Sequence, residues 1–315
     1  MLTYLEQLTI RLATGVASLP EQLRGRHGRY LLDQQKPDGG FGGREGGSDL
    51  YYTSFALRSL AILGLLDGDV ARRSAEFLKA KLTGQETIID FLSLVYGAAL
   101  IESASGIHIF ADSPPGWSAN VAAHLETLRR EDGGYAKGPE GIASSTYHTF
   151  LVTLCLELIE QPLPQPDRAV AFVLSQQTEE GGFHEIRASK RAGTNPTAAA
   201  IGVLRITNSL TDEIRENTLD FLVEMQTDEG GLRANTRIPF ADLLSSFTGL
   251  LTLQDLGGDD EISTAALQRY AHDMEQPAGG FHGAALDEAT DVEYTFYGLG
   301  LLGLLQVEGP MTNDK

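Results

Sequence analysis

The chain has 315 residues and a formal net charge of −19. That is long for one ordinary core unless the architecture is a barrel, solenoid or toroid, and too acidic for a phosphate backbone, so nucleic acid is excluded as an expected partner. A single cysteine, Cys155, excludes an intrachain disulfide and a four-cysteine metal knot.

No run approaches about 18 consecutive apolar residues. The start MLTYLEQLTIRLATG has no basic region leading into an apolar stretch. The expectation is a cytoplasmic protein without a transmembrane segment.

From the N-terminus, MLTYLEQ reads as frayed or peripheral. A polar-faced helix, RYLLDQQ, then runs into KPDGGF, a glycine-rich loop, and an apolar helix, TSFALRSLAILGLL. A second pair follows around KLTGQETIIDFLSLVYGAAL, without a Gly-Gly step. IHIFADSPPGWSAN (107–120) breaks the pattern and reads as an ordered loop with Trp117 packed on it. Four further pairs follow. Their polar-faced helices are VAAHLETLRRED, RAVAFVLSQQ, TLDFLVEMQ and LQRYAHDMEQ. Their apolar helices are TFLVTLCLELI, TAAAIGVLRI, SFTGLLTL and TFYGLGLLGLL. The terminal EGPMTNDK reads as peripheral.

The Gly-Gly pairs start at Gly39, Gly133, Gly181, Gly230 and Gly279, at intervals of 94, 48, 49 and 49 residues. The first interval holds the unit that lacks its glycines, which makes six units of about 48 residues, the signature of a repeat architecture. Thr149, Thr197, Ser246 and Thr295 each lie 16 residues past the first glycine of their unit, so the loops are phase-locked as well. Each unit has one helix with a single apolar stripe and one that must be buried on most sides. Six such hairpins without capping repeats predict an all-α, α/α toroid (an α6-α6 barrel). It is read as one domain over 1–315, with units at about 25–66, 67–104, 118–160, 165–208, 212–257 and 262–306.

This grammar resembles the prenyltransferase and squalene-cyclase repeat superfamily, most closely the β subunits of protein prenyltransferases. GGFHGAALDEATDVEYTFYGLGLLGLL is similar to the family's closing motif, and GGLRANTRIPFADLLSSFTGLL to the D-x-C segment before it. The resemblance implies binding of an isoprenoid diphosphate in a central apolar cavity, prenyl transfer to a protein or peptide acceptor, and an α-subunit-like partner. The family's zinc is held by Asp and Cys of D-x-C and the His of the closing motif. Here Asp242 stands at the Asp position, Leu244 replaces Cys and Tyr294 replaces His. Leucine cannot ligate a metal and tyrosine is a poor substitute for imidazole at zinc. A divalent cation bridging Asp242 and Glu293 is the remaining metal expectation.

Helix N-termini attract anions. The loops of units four and five carry Arg187, Lys190, Arg191, Arg233 and Arg237, in the loops from which the family draws its diphosphate-binding side chains. These five, with His148 as a wall residue, are the expected substrate-binding set. Asp242 and Asp291 each precede a phase-locked Ser or Thr by four residues, and Asp49 lies four before Thr53, all suiting helix N-caps. Asp291-Val-Glu293-Tyr294-Thr295 also occupies the phase of the Asp-x-Asp-Asp-Thr motif of class II terpene cyclases. On that resemblance Glu293 is the proton donor, Asp291 its modulator, and Tyr294 replaces the last Asp. The expected catalytic set is therefore Asp242, Asp291, Glu293 and Tyr294. The leading expectation is a prenyltransferase-like enzyme. The alternatives are a proton-initiated terpene cyclase and a non-catalytic toroid that binds isoprenoid or terpenoid lipid.

Overall fold

The computed structural model describes residues 2–81 and 87–307. Among them are α1 (Tyr4–Ala17), α2 (Glu21–Asp33), α3 (Leu50–Ile62), α4 (Gly68–Lys81), α5 (Ile88–Ser105), α6 (Trp117–Glu126) and α7 (Thr146–Leu158). These are followed by α8 (Pro166–Leu174), α9 (Thr194–Ile206), α10 (Asp212–Val223), α11 (Leu243–Leu256), α12 (Thr264–Asp273) and α13 (Val292–Leu304). The two-residue strands β1 (Phe281–His282) and β2 (Thr290–Asp291) pair antiparallel, with Phe281 opposite Asp291. This is the expected all-α, α/α-toroid fold class.

Chain contacts resolve into two compact units. One comprises the chain up to Ser118 with Met274–Val307; the other is Ala119–Asp273. In the first, the core helices α3, α5 and α13 are buried along most of their length, and α13 packs on both α1 and α3. In the second, α7, α9 and α11 pack in sequence, while α8 lies against α9 and α10 against α11.

One junction recurs through both. After each Gly-Gly step, the backbone N–H of the next residue donates to a fully buried hydroxyl on the core helix of the same repeat. The pairs are Phe41 to Thr53 (2.9 Å), Tyr135 to Thr149 (3.0 Å), Phe183 to Thr197 (2.9 Å), Leu232 to Ser246 (2.9 Å) and Phe281 to Thr295 (3.3 Å). These bonds explain the phase-locking, because a buried amide without a partner is costly and the hydroxyl must arrive at one place. The first glycine faces the next covering helix. Gly181 has φ +89°, and a Cβ there would lie 1.9 Å from the Asn217 carbonyl oxygen of α10. Only glycine combines that left-handed backbone with so close an approach. The second glycine of each step lies under an aromatic ring of that helix: Phe77, Phe172, Phe221, Tyr270 or Tyr30.

The last of these rings belongs to α2, so the sixth repeat packs on the first through the same contact. His27 of α2 seals it. Its Nδ1 accepts from the Gly280 N–H at 3.0 Å, and its ring stacks on Phe281 at 4.6 Å. Burial, reinforced by Arg26, pushes the imidazole pKa down to about 3, so His27 is the neutral acceptor the Gly280 amide requires.

The N-terminus departs from its sequence reading. MLTYLEQ is not peripheral: Thr3 and Glu6 form a capping box, Leu5 and Leu12 are buried, and α1 packs against α13 and α3. Gly15 and Gly303 allow that approach, since a Cβ on Gly15 would sit 2.0 Å from the Gly303 carbonyl oxygen. EGPMTNDK and residues 82–86, between α4 and α5, fall outside the described residues. α5 is long and apolar enough to cross a bilayer, yet it is largely buried and packs on α3 and α4, as a core helix does. In the 107–120 segment, Trp117 stacks on Phe110 at 4.7 Å. Cys155 is fully buried, and burial pushes its thiol pKa up, which leaves it inert.

Removing one hydroxyl of the repeated junction tests its weight. Thr197→Val leaves the Phe183 amide unpaired and is expected to destabilise the protein by about 1–3 kcal/mol in denaturant unfolding, whereas Thr197→Ser retains most of the stability.

Candidate functional site

In the first unit, the loop after Phe41 and the turn between β1 and β2 meet through Arg44. Its Nε donates to Asp291 Oδ2 at 2.9 Å, its Nη1 donates to Asp287 Oδ1 at 2.9 Å, and its Nη2 pairs with the other Asp287 oxygen. The guanidinium lies 5.6 Å from the centre of the Tyr294 ring. The bidentate bond to Asp287 is the main reason the Arg44 pKa rises and that of Asp287 falls. Asp291 Oδ1 accepts the Tyr294 N–H at 2.9 Å and caps α13. Both Asp291 oxygens are therefore committed, one to the helix and one to Arg44.

The cap places Glu293 in the first turn of α13. Gly43, Arg44, Glu45, Tyr52, Asp291, Glu293 and Tyr294 line a cavity of about 450 Å³. Glu293 Oε1 accepts from Tyr51 Oη at 2.7 Å and from Tyr297 Oη at 3.4 Å. Burial pushes the Glu293 pKa above the usual carboxylate range and the Asp291 charge adds to it, while the Tyr51 hydrogen bond and Arg58 oppose the rise. Further aromatic rings pack on these two tyrosines. Tyr51 and Phe55 meet edge to face at 5.0 Å, Phe55 and Tyr297 at 5.3 Å, and Phe296 lies 5.7 Å from Phe55. Arg58 sits over Phe55 (4.8 Å) and Tyr96 (4.7 Å), with its buried Nε lacking a hydrogen-bond partner. A carboxyl so placed holds its proton to higher pH than an exposed one, and two hydroxyls donating to Oε1 leave Oε2 to carry it.

The structure thus brings Asp291, Glu293 and Tyr294 onto one cavity. Two charged members of the same group, Arg44 and Asp287, were missed by the sequence reading. Their residues lie 243 positions apart in the chain, and the one local hint was a cation set among the glycines of GGREGGSD.

The remaining expected residues belong to the second unit. Asp242 caps α11, with Oδ1 accepting the Ser245 N–H at 2.7 Å and Oδ2 the Ser245 hydroxyl at 2.8 Å; burial raises its pKa. No group of three or more His, Cys, Asp or Glu side chains able to hold a metal occurs among the described residues. With Leu244 and Tyr294 at the other two ligand positions, the side chains do not fit the zinc implied by the resemblance.

Arg187, Lys190, Arg191 and Arg237 are exposed on the loops before α9 and α11. Arg191 Nη1 donates to Thr236 Oγ1 at 3.1 Å, joining those two loops. Arg233 is partly buried and donates to the Glu224 carbonyl oxygen at 3.0 Å. His148 Nδ1 lies 2.8 Å from Ser145 Oγ, whose hydroxyl also bonds Glu185. Burial is the main cause lowering the His148 pKa, with Lys137 second, and burial raises that of Glu185.

A profile of the prenyltransferase alpha-alpha toroid domain matches residues 5–90 and 114–314. The chain belongs to that family. Among curated relatives it is similar to the β subunit of protein farnesyltransferase of Schizosaccharomyces pombe, 27% identical over 165 residues (50% of this chain, 42% of the relative). It is also similar to the β subunit from Pisum sativum, 26% identical over 192 residues (59% and 45%). The match thus spans less than half the length of those relatives. Among solved structures, protein geranylgeranyltransferase-I of Candida albicans, complexed with GGPP, superposes with a TM-score of 0.71 at 13% identity, covering 90% of this chain and 91% of that one. The type II terpene cyclase MstE from Scytonema superposes with a TM-score of 0.59 at 16% identity, covering 96% and 98%. At these identities the toroid shares the fold of both kinds of enzyme.

The Glu293 environment has a stability consequence. A carboxyl whose pKa rises on folding contributes stability at pH below its unfolded value and loses it as pH rises through the folded value. Glu293→Gln keeps an acceptor for Tyr51 and removes the buried charge. Its melting temperature relative to wild type is therefore expected to increase as pH rises above the ordinary glutamate value of about 4.3 and to level off above the folded-state value.

Proposed function

We propose that this toroid binds an isoprenoid and that Glu293 donates the proton that starts its conversion. The observation that carries the reading is a half-buried carboxyl with a raised pKa, held by the Tyr51 and Tyr297 hydroxyls at a cavity that Tyr52 and Tyr294 also line. The proton leaves Glu293 Oε2 for an alkene carbon of the substrate, and positive charge develops on the neighbouring carbon. Tyr52 and Tyr294, which line the cavity with Glu293, stabilise that charge through their ring quadrupoles. Loss of a proton from the hydrocarbon to Glu293 or to solvent ends the reaction and balances it. Asp291 acts on Glu293 by charge alone, because both its oxygens are engaged.

A second reading, prenyl transfer with release of diphosphate, is favoured by one separate observation. The loops of the second unit concentrate cations, and the curated relatives are farnesyltransferase β subunits. Under it Arg191 and Arg237 hold the diphosphate of an isoprenoid diphosphate, and an α-subunit-like partner and a protein or peptide acceptor are required. Its metal requirement is not met by Asp242, Leu244 and Tyr294.

The two readings differ in what leaves the substrate. With farnesyl and geranylgeranyl diphosphates and their alcohols, the proposal predicts products isomeric with the substrate, seen by gas chromatography–mass spectrometry after dephosphorylation, and no released diphosphate. Glu293→Gln should lower turnover by about a hundredfold or more while substrate binding persists. Stoichiometric release of inorganic diphosphate that Glu293→Gln does not affect would favour transfer and overturn the proton-donor role.

A further inference from the structure

We propose that the loop face of the second unit, at the N-terminal ends of α7, α9 and α11, docks onto an anionic lipid bilayer. This inference is independent of the chemistry assigned to Glu293.

Three loops form the face: 136–144, 184–193 and 233–241. They are joined edge to edge. The Thr146 N–H donates to the Glu185 carbonyl oxygen at 2.9 Å and the Thr194 N–H to that of Ala234 at 2.9 Å, while Arg191 reaches Thr236 at 3.1 Å. The loops carry six cations (Lys137, Arg187, Lys190, Arg191, Arg233 and Arg237) against Glu140 and Glu185, in a chain whose net charge is −19. Glu185 is withdrawn from the surface: it bonds the Ser145 hydroxyl and burial raises its pKa. The face is thus the reverse in sign of the molecule as a whole.

Apolar side chains project among these cations. Ile142 is 97% exposed, Phe240 45% and Tyr147 39%. An isoleucine held out in water on an ordered loop has no packing role in its own chain. Apolar tips among lysines and arginines suit an interface in which the tips enter the acyl boundary and the cations meet anionic headgroups. An acidic protein surface would satisfy the cations and leave Ile142 with nothing apolar to enter, so a bilayer is the occupant the face fits. Isoprenoids partition into membranes, and a protein docked there has its substrate class at hand.

The test is flotation of the purified full chain with vesicles of phosphatidylcholine alone, and of phosphatidylcholine with about 30% phosphatidylglycerol, at low and high salt. The expected result is flotation with the anionic vesicles alone, weakened at high salt. Arg187→Gln, Lys190→Gln and Arg191→Gln together are expected to lower the partition coefficient on the order of a hundredfold. Ile142→Asp with Phe240→Asp should abolish flotation, and Arg72→Gln, an exposed α4 cation in the other unit, should leave it unchanged. All these side chains are exposed, and circular dichroism confirms folding of each variant. Absence of flotation, equal flotation with neutral vesicles, or binding untouched by the loop variants would overturn the proposal. So would retention on an immobilised acidic polypeptide without flotation, which would point to a protein partner.

Discussion

A hydrogen bond from a backbone amide to a buried hydroxyl, made once in each glycine-marked repeat, is the constraint on which the rest of the structure depends. It pins the residue after Gly-Gly to the core helix, with its ring or leucine side chain buried beneath. The loop that follows must return so that its last residue can cap that helix. Asp49, Ser145, Asp242 and Asp291 do so with their side chains, while Gly193 stands at the same point without one. Cap position and helix phase are therefore one constraint, met by a loop two residues shorter in the first repeat, where the bonded pair is 12 positions apart instead of 14. It leaves the interior of each loop free to vary, and there the repeats differ most.

Those differences set which side chains each loop presents. In the first unit, the free loop interior supplies Arg44, which pairs with Asp291 and Asp287, while Glu293 is held by tyrosine hydroxyls. Desolvation outweighs the tyrosine hydrogen bonds, so the net shift of Glu293 is upward, in the direction a proton donor needs near neutral pH. In the second unit the same loop positions supply exposed cations and apolar tips instead. One scaffold thus presents an acid over a cavity in one place and a basic surface in another.

The fold was legible because its constraint is written in residue types with few substitutes: glycine at the left-handed step and a hydroxyl 16 residues later in four of the repeats. Asp49, Asp242 and Asp291 were readable as caps for the same reason. The aromatic residue that covers the second glycine, found 37 to 39 residues further on at Phe77, Phe172, Phe221 and Tyr270, was an equally periodic signal that went unread. α1 was missed because it stands outside the repeat; its capping box, Thr3 with Glu6, was nonetheless present in the sequence. At the site, Glu293 was visible through its motif phase. Its partner Tyr51, and Arg44, the partner of Asp291, lie more than 240 residues away in the chain and are brought in by the contact of the sixth repeat with the first, which no local pattern encodes.

The central claim is that partial burial beside Tyr51 and Tyr297 keeps Glu293 protonated beyond the range of an ordinary carboxyl. The most direct measurement is a carbon-13 NMR titration of protein labelled at the glutamate side-chain carboxyls, with the Glu293 resonance assigned by its loss in Glu293→Gln. The account predicts a midpoint clearly above the ordinary glutamate value of about 4.3, shifting higher in Tyr51→Phe. A midpoint at or below that value, or one indifferent to Tyr51, would contradict it.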